Sequence, residues 1–400
     1  MFSPEEIVEK IKFYKSEADH APTPRVRKVE QKPMRILSGG IARTTGGRIW
    51  ATWIDNCECR FSHPVAGWSD DDGITWTGTR YEINELTTPG GLSRNSDCSN
   101  LWLAPNGDLW WIFDNGLGVF DGQDGIWASV CKNPDGLEPE WSCPEYIWYG
   151  HAINKPVVLR NGDWLIGCSF WLYPTDDMIG VDFPCICGHE LDHLRMAHIL
   201  ASSDQGKTWA RRGGVKVEEW SFNEPNLVER QDGSLLMYLR TSYGIAESVS
   251  VDGGCTWSEP ERSKLMHPPA RIATVRLKSG KLLMIKHAAC QQNAEYKREK
   301  LSAYLSDDDG KTWYGNLMLD ERYGVSYPDG FQDSKGRIYV IYDHVRTDGE
   351  ILMAVFEETD VIAGKVISPN SRLKQVIHRL PGYVENNDES FVHIKLIANQ

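Results

Sequence analysis

Ser306-Asp307-Asp308-Asp309-Gly310-Lys311-Thr312-Trp313 decides the fold, because the same Ser-x-Asp-x-Gly-x-Thr-Trp frame returns at Ser69 to Trp76, Ser202 to Trp209 and Ser250 to Trp257. Each copy reads as a hairpin turn. Asp accepts bonds from N–H groups across the turn, Gly takes a positive φ, Ser and Thr add local hydrogen bonds, and Trp plugs the sheet. Four such matches mark a repeat, and a repeat sets the architecture. A worn fifth copy is read at Asp135, Gly136 and Trp141, where Trp141-Ser142-Cys143-Pro144 echoes Trp257-Ser258-Glu259-Pro260.

Working outward, a second pattern appears: a turn ending in Gly, then an alternating or apolar strand. It begins at Gly47, Gly107, Gly162, Gly233, Gly280 and Gly336. Six copies predict an all-β, six-bladed β-propeller. The spacings of 60, 55, 71, 47 and 56 residues are long for a blade, so the excess falls in loops, above all an insertion from Tyr173 to His193. Residues 4–18 carry Ile7, Ile11 and Phe13 or Tyr14 at helical spacing behind Ser3, which predicts a short N-terminal helix. The expected organisation is a helical extension over residues 1–29 and the propeller over 30–400. The tail from about Asp360 is expected to complete a blade, with the two chain ends pairing to close the ring.

Composition narrows the function. A net charge of -13 argues against nucleic acid or an anionic membrane as partner, since both select basic surfaces. It leaves room for an anionic small substrate in a local Arg pocket. No stretch approaches the length of a spanning helix, and Met1 to His20 is charged where a signal peptide would be apolar. The ten Cys are mostly scattered singly and read as reduced. A cytoplasmic protein that needs no cofactor is the expectation. Sixteen Trp and fifteen Tyr supply both blade packing and sugar-stacking surface.

Four boxes on six blades resemble the sialidase (neuraminidase) superfamily over roughly residues 30–360. The boxes identify a fold; chemistry has to come from the inner strands. The resemblance implies an Arg triad that clamps a carboxylate, a Tyr nucleophile activated by a Glu, and an Asp acid/base. Glu224, nine residues before Gly233, looks like the activating Glu, and Arg240 ends the paired strand as the second triad Arg does. Arg298, eight residues before Ser306, resembles the third, and Tyr327, nine residues before Gly336, is in register with the nucleophile. The types belong together chemically. A carboxylate can take the phenol proton, and guanidiniums hold an anion bidentately while favouring the phenolate.

The departures are as informative. The first triad Arg is expected at a position occupied by Leu37, with Arg35 two residues earlier on the same strand face. For the acid/base, the segment from Asp55 to His63 offers Asp55, Glu58 or His63, and Asp97 faces the same funnel from blade two. Arg271 and Asp329, the latter in Ser326-Tyr327-Pro328-Asp329-Gly330, complete the candidate substrate-binding set. His151, His287 and His344 are further candidates for the funnel wall. His189-Glu190-Leu191-Asp192-His193 matches the H-E-x-x-H zinc pattern. That chemistry needs both His on one helix face, however, and Pro184 and Gly188 point to a loop. Cys185, Cys187, His189 and His193 leave a structural zinc as the alternative. The leading expectation is an exo-acting glycoside hydrolase for a terminal acidic sugar. Its rivals are a polysaccharide lyase acting on a uronate and a non-catalytic carbohydrate-binding propeller.

Overall fold

The computed structural model describes residues 25–28, 35–57, 62–84, 95–116, 125–171, 193–218, 220–288, 297–346, 349–381 and 383. The expected helix over residues 4–18 lies outside them, as do Glu58 and most of the Tyr173 to His193 insertion with Cys185, Cys187 and His189.

The described residues form six antiparallel sheets arranged as propeller blades. Blade one comprises β1 (Arg25–Lys28), β2 (Ile36–Arg43), β3 (Ile49–Asp55), β4 (His63–Ser69) and β5 (Tyr81–Asn84). Blade two comprises β6 (Ser99–Leu103), β7 (Leu109–Asn115), β8 (Gly125–Cys131) and β9 (Glu145–Tyr149). Blade three is β10 (Val157–Val158), β11 (Trp164–Ser169), β12 (Ala197–Ser202) and β13 (Ala210–Val215). Blade four is β14 (Trp220–Glu229), β15 (Leu235–Thr241), β16 (Gly244–Ser250) and β17 (Glu261–Arg262). Blade five is β18 (Ala273–Arg276), β19 (Leu282–His287), β20 (Leu301–Ser306) and β21 (Tyr314–Asp320). Blade six is β22 (Val325–Gln332), β23 (Ile338–His344), β24 (Glu350–Phe356) and β25 (Arg372–Arg379), with helix α1 (Glu358–Ala363) between its last two strands.

The second strands are mostly apolar, with polar residues at their far ends, because both their faces are covered by neighbouring blades. Every residue of β3, β7, β15 and β23 is buried. The six predicted Gly turns join the first and second strands of the blades, each Gly at a φ between 86° and 103°. Each donates its N–H to the carbonyl three residues back, as in Gly107 to Ala104 at 2.9 Å and Gly162 to Leu159 at 2.8 Å. A side chain on the Gly would force that left-handed backbone into strain.

The Ser-x-Asp-x-Gly-x-Thr-Trp boxes join third and fourth strands. In the first box, Asp71 accepts the Thr75 N–H at 2.8 Å and the Ser69 hydroxyl at 2.8 Å, Ser69 Oγ accepts the Gly73 N–H at 2.8 Å, and the Trp76 indole donates to Gly73 O at 3.2 Å. The worn copy in blade two is anchored two residues before the expected Asp135. Cys131 Sγ donates to Asn133 Oδ1 at 3.4 Å in the Ser-to-Asp role. Beyond it, Ser142 receives bonds from Ser129 and Val130 as Ser258 does from Ser248 and Val249. Asp135 instead reaches blade one and accepts the Gly46 N–H at 3.0 Å. Blade six has no box. There Asp360 on α1 accepts the N–H groups of Ile367 at 2.7 Å and Ser368 at 2.8 Å and does the same capping work.

Ring closure differs from the expectation. The tail does complete a blade, through β25, but among the described residues the first and last strands do not pair with each other: β25 finishes blade six and β1 pairs with β5 in blade one. The seam is closed by side chains and by a backbone bond, from the Ile36 N–H to Arg346 O at 2.9 Å. Buried Asp343 and Asp329 of blade six accept the Ser38 and Ile41 N–H groups on the inner edge of β2, each at 3.0 Å, satisfying a sheet edge that would otherwise be buried unpaired.

Candidate active site

Inner strands start at the end of the molecule opposite the Gly turns, and there the backbone leaves regular geometry. Phe222, Asn223 and Glu224 lie consecutively at positive φ (62°, 55° and 40°), and Tyr327 does so alone at 51°. The β14–β15 register shifts on both sides of Asn223, and the β22–β23 register shifts between Ser326 and Asp329. Each left-handed residue that is not Gly costs about 1 kcal/mol or more, and such strain concentrates where side chains must be aimed.

What these bends aim is one contact group. Arg240, near the end of β15, donates from Nη1 to Glu224 Oε1 at 2.7 Å and to Tyr327 OH at 3.2 Å. Tyr327 OH in turn donates to the same Glu224 oxygen at 3.2 Å. All three are under 10 % exposed: 6 % for Glu224, 7 % for Arg240 and 9 % for Tyr327. Glu224 Oε2 is buried and has no hydrogen-bond partner among the described residues. Burial pushes the Tyr327 phenol up and Glu224 adds to the rise, while Arg240, Arg346 and Arg298 pull it down. The phenol of the free protein is therefore protonated at neutral pH, with its proton already pointed at a carboxylate.

Arg298 approaches from blade five. It donates to Ser326 Oγ at 3.0 Å and Pro269 O at 3.2 Å, and its guanidinium carbon lies 5.6 Å from the centre of the Tyr327 ring. Burial, then Arg346 and Arg240, bring its pKa down to about 10. Beside Tyr327 lies an apolar wall of Leu37, Ile54, Cys98, Ile153, Trp171 and Phe222. Phe222 carries Arg240 on its face at 4.8 Å and meets Trp171 edge-on at 5.0 Å.

The other expected site residues lie on or beside strands of blades one, two, five and six. Arg271 is 1 % exposed and knits the channel, donating to Asn154 Oδ1, Gly39 O and Ile153 O at 3.0, 2.9 and 2.6 Å. Asp329 takes the Ile41 N–H, pairs with Lys155, and lies 3.7 Å from Arg271. Asp55 accepts the Trp53 indole at 3.0 Å, and Trp53 stacks on His378 of blade six, so this carboxyl is packed between blades. Burial raises it to about 8, with Trp53 opposing and Glu82 assisting. Asp97 accepts Ser62 Oγ at 3.0 Å and Asn95 Nδ2 at 3.1 Å. It and Glu224 both add to the burial that raises the Cys98 thiol, which puts Asp97 on the Tyr327 side of the molecule. Arg35 precedes β2 and its carbonyl accepts the Asn56 N–H at 2.7 Å.

Of the three His, His287 is buried, contacts Glu299 O at 3.1 Å and lies 5.2 Å from the His267 ring. Burial, then Arg298, lower its pKa to about 3. His344 sits 3.6 Å from Glu350 within blade six. His151 lies 2.6 Å from Asp114 and stacks flat on Trp171 at 3.4 Å. Cys98, Asp114 and His151 are close enough to share a metal. They do not suit one: Asp114 already holds the Cys98 N–H at 2.7 Å with one oxygen and His151 with the other, and burial keeps the Cys98 thiol protonated.

Two participants escaped the sequence reading. Phe222 carries no motif. Arg346 places its guanidinium carbon 4.4 Å from the Tyr327 ring centre, after a strand end that no repeat register describes.

Residues 137–340, half of the chain, match the family described as BNR repeat-like domain. A sialidase of Bacteroides fragilis is 24 % identical over 310 residues, which cover 69 % of this chain and 53 % of that protein; the chain thus spans about half the length of this relative. Among solved structures, a Hadza microbial sialidase superposes with a TM-score of 0.62 at 18 % identity, covering 82 % of this chain and 67 % of the other. The intramolecular trans-sialidase from Ruminococcus gnavus superposes with a TM-score of 0.56 at 12 % identity, covering 86 % and 99 %. At these identities the likeness is one of fold.

Proposed function

Because the chain belongs to the BNR repeat-like domain family, within the sialidase superfamily, we propose that it is an exo-acting glycoside hydrolase that removes a terminal acidic sugar, sialic acid or a related ulosonic acid. The observation that carries this reading is the three-way contact of Tyr327, Glu224 and Arg240. Tyr327 is the nucleophile. As its oxygen bonds to the anomeric carbon, its proton passes to Glu224 Oε1, the oxygen to which it already donates. Arg240 steadies the carboxylate and lowers the cost of phenolate character. A neutral nucleophile suits an anomeric centre that bears a carboxylate, because no like charges meet.

Asp97 is the acid/base in this reading. It donates a proton to the departing glycosidic oxygen, then takes one from the water that releases the sugar from Tyr327. Two displacements at one carbon return the original anomeric configuration. Arg240 and Arg298 hold the substrate carboxylate in planar, charge-assisted bonds. The apolar wall of Leu37, Ile153, Trp171 and Phe222 receives the sugar's less polar face.

The test is release of 4-methylumbelliferone from its α-sialoside by the wild type and by Tyr327→Phe. Turnover in the wild type that falls at least about a thousandfold in the variant supports the assignment. Undiminished turnover in the variant sinks the nucleophile. An unsaturated product absorbing in the ultraviolet from a uronate polymer would shift the reaction to elimination, and binding without turnover across a glycan panel would shift it to recognition.

A further inference from the structure

The two groups proposed to react stand on two bulges of the same kind. In blade four the β14–β15 ladder pairs Asn223 with Arg240 and resumes at Asn226 with Tyr238, leaving Glu224 and Pro225 outside it. In blade six the β22–β23 ladder pairs Ser326 with Asp343 and resumes at Asp329 with Ile341, leaving Tyr327 and Pro328 outside it. A bulge of this kind re-aims a side chain. Proline suits its second place, having no N–H to lose from the ladder. The buried carbonyls still need donors.

For Glu224 and Pro225 both donors come from blade three. Asn154, 8 % exposed, donates from Nδ2 to Glu224 O at 3.1 Å and to Pro225 O at 2.9 Å. The orientation of the amide is fixed, because its Oδ1 accepts Arg271 Nε at 3.0 Å and a flipped amide would set oxygen against two carbonyl oxygens. Arg271 is held in turn by Gly39 O of blade one and Ile153 O of blade three, and lies 3.7 Å from Asp329, where the second bulge ends. A left-handed Glu224 persists only where its surroundings over-determine it. We propose that Asn154, oriented by Arg271, is a positioning residue: it holds the bulged Glu224 backbone in the conformation that points the carboxylate at Tyr327 OH. This rests on the hydrolase reading above. Arg271 thereby serves the site through Asn154 and the Glu224 backbone.

The experiment is steady-state hydrolysis of 4-methylumbelliferyl α-sialoside by the full chain, comparing wild type, Asn154→Asp, Asn154→Ala and Asn100→Ala. Asn154→Asp keeps the size and the acceptor for Arg271 and removes both donors. Asn100→Ala is the control, since Asn100 donates to Ile153 O at 2.8 Å in the same buried layer without bonding Glu224 or Pro225. Calorimetric titration of each variant with 2-deoxy-2,3-didehydro sialic acid counts folded sites. The expected result in both Asn154 variants is a kcat about 10- to 100-fold lower, with kcat/KM falling equally and KM within about threefold, while each chain still binds one ligand. Asn100→Ala should keep its kcat within about threefold. Turnover in the wild type that survives undiminished in the Asn154 variants overturns the inference. So does a loss matched by Asn100→Ala, or one that follows the number of folded sites. Absence of turnover in the wild type is a failure of the hydrolase reading, and this inference falls with it.

Discussion

Single side chains in this molecule take their meaning from what surrounds them, and Asp55 and Glu224 show it most clearly. Both are buried carboxyls near strand ends on the funnel side. Glu224 meets an Arg and a Tyr, whereas Asp55 meets an indole and the field of Glu82. A carboxyl held neutral suits a general acid, yet Asp55 is enclosed between blades, and its raised pKa is a statement about stability. Below about pH 4 the group is protonated folded and unfolded alike. As pH rises toward 8 only the unfolded chain releases the proton, so the stability it contributes is lost through that window. Asp55→Asn, which keeps an acceptor for Trp53, is expected to flatten this slope and to be more stable than the wild type at pH 7 by a few kcal/mol, read from urea midpoints across pH 4 to 8. Glu224, Arg240 and Tyr327 were readable from sequence because each keeps a fixed count to a Gly turn or strand end that recurs in every blade. Arg346 was not, because its direction is set by the backbone of Gly324 and Val345 and by a contact to Ile36 some three hundred residues away.

Among elements, the box is the unit that repeats most faithfully, and its carboxylates carry a pH signature. Asp71, Asp204, Asp252 and Asp308 are all lowered to about 2, chiefly by the hydrogen bonds from the box Thr. A depressed acid contributes stability above its unfolded pKa near 4 and loses it as pH falls through 2. Asp252→Asn should therefore lower the melting temperature by roughly a few degrees at pH 7, and the gap to wild type should close between about pH 4 and 2. A gap that persists unchanged at pH 2 would mean that charge is not what the box uses. The box frame was plain in sequence because the turn itself dictates each residue type. The worn copy was harder: Cys131 and Asn133 keep the hydrogen bonds while losing the letters, and α1 in blade six keeps only the capping carboxylate.

For the whole molecule, six blades followed from six Gly turns, but the closure did not, since nothing in a strand pattern tells whether the last edge meets a strand or a side chain. Asp329 belongs to that closure as much as to any site. It holds a β2 amide and stands between Lys155 and Arg271, both inside the channel. Asp329→Asn leaves the amide an acceptor but the two cations without their carboxylate, and is expected to destabilise the protein by about 3 to 5 kcal/mol in chemical denaturation. The Michaelis constant of the folded variant should stay within about twofold; a large rise would return Asp329 to the substrate. The closure has a further consequence for how the chain is made. Each described blade is built from consecutive strands, and none waits for a segment from the far end of the chain. A ribosome can release blades in finished order, each packing on the one before it. Tyr327 and Arg346 emerge with the sixth, so a nascent chain carries five assembled blades before the proposed nucleophile exists. On the proposed function, competence arrives at a single late moment, when the seam shuts, and a prematurely terminated product is expected to be a silent partial ring.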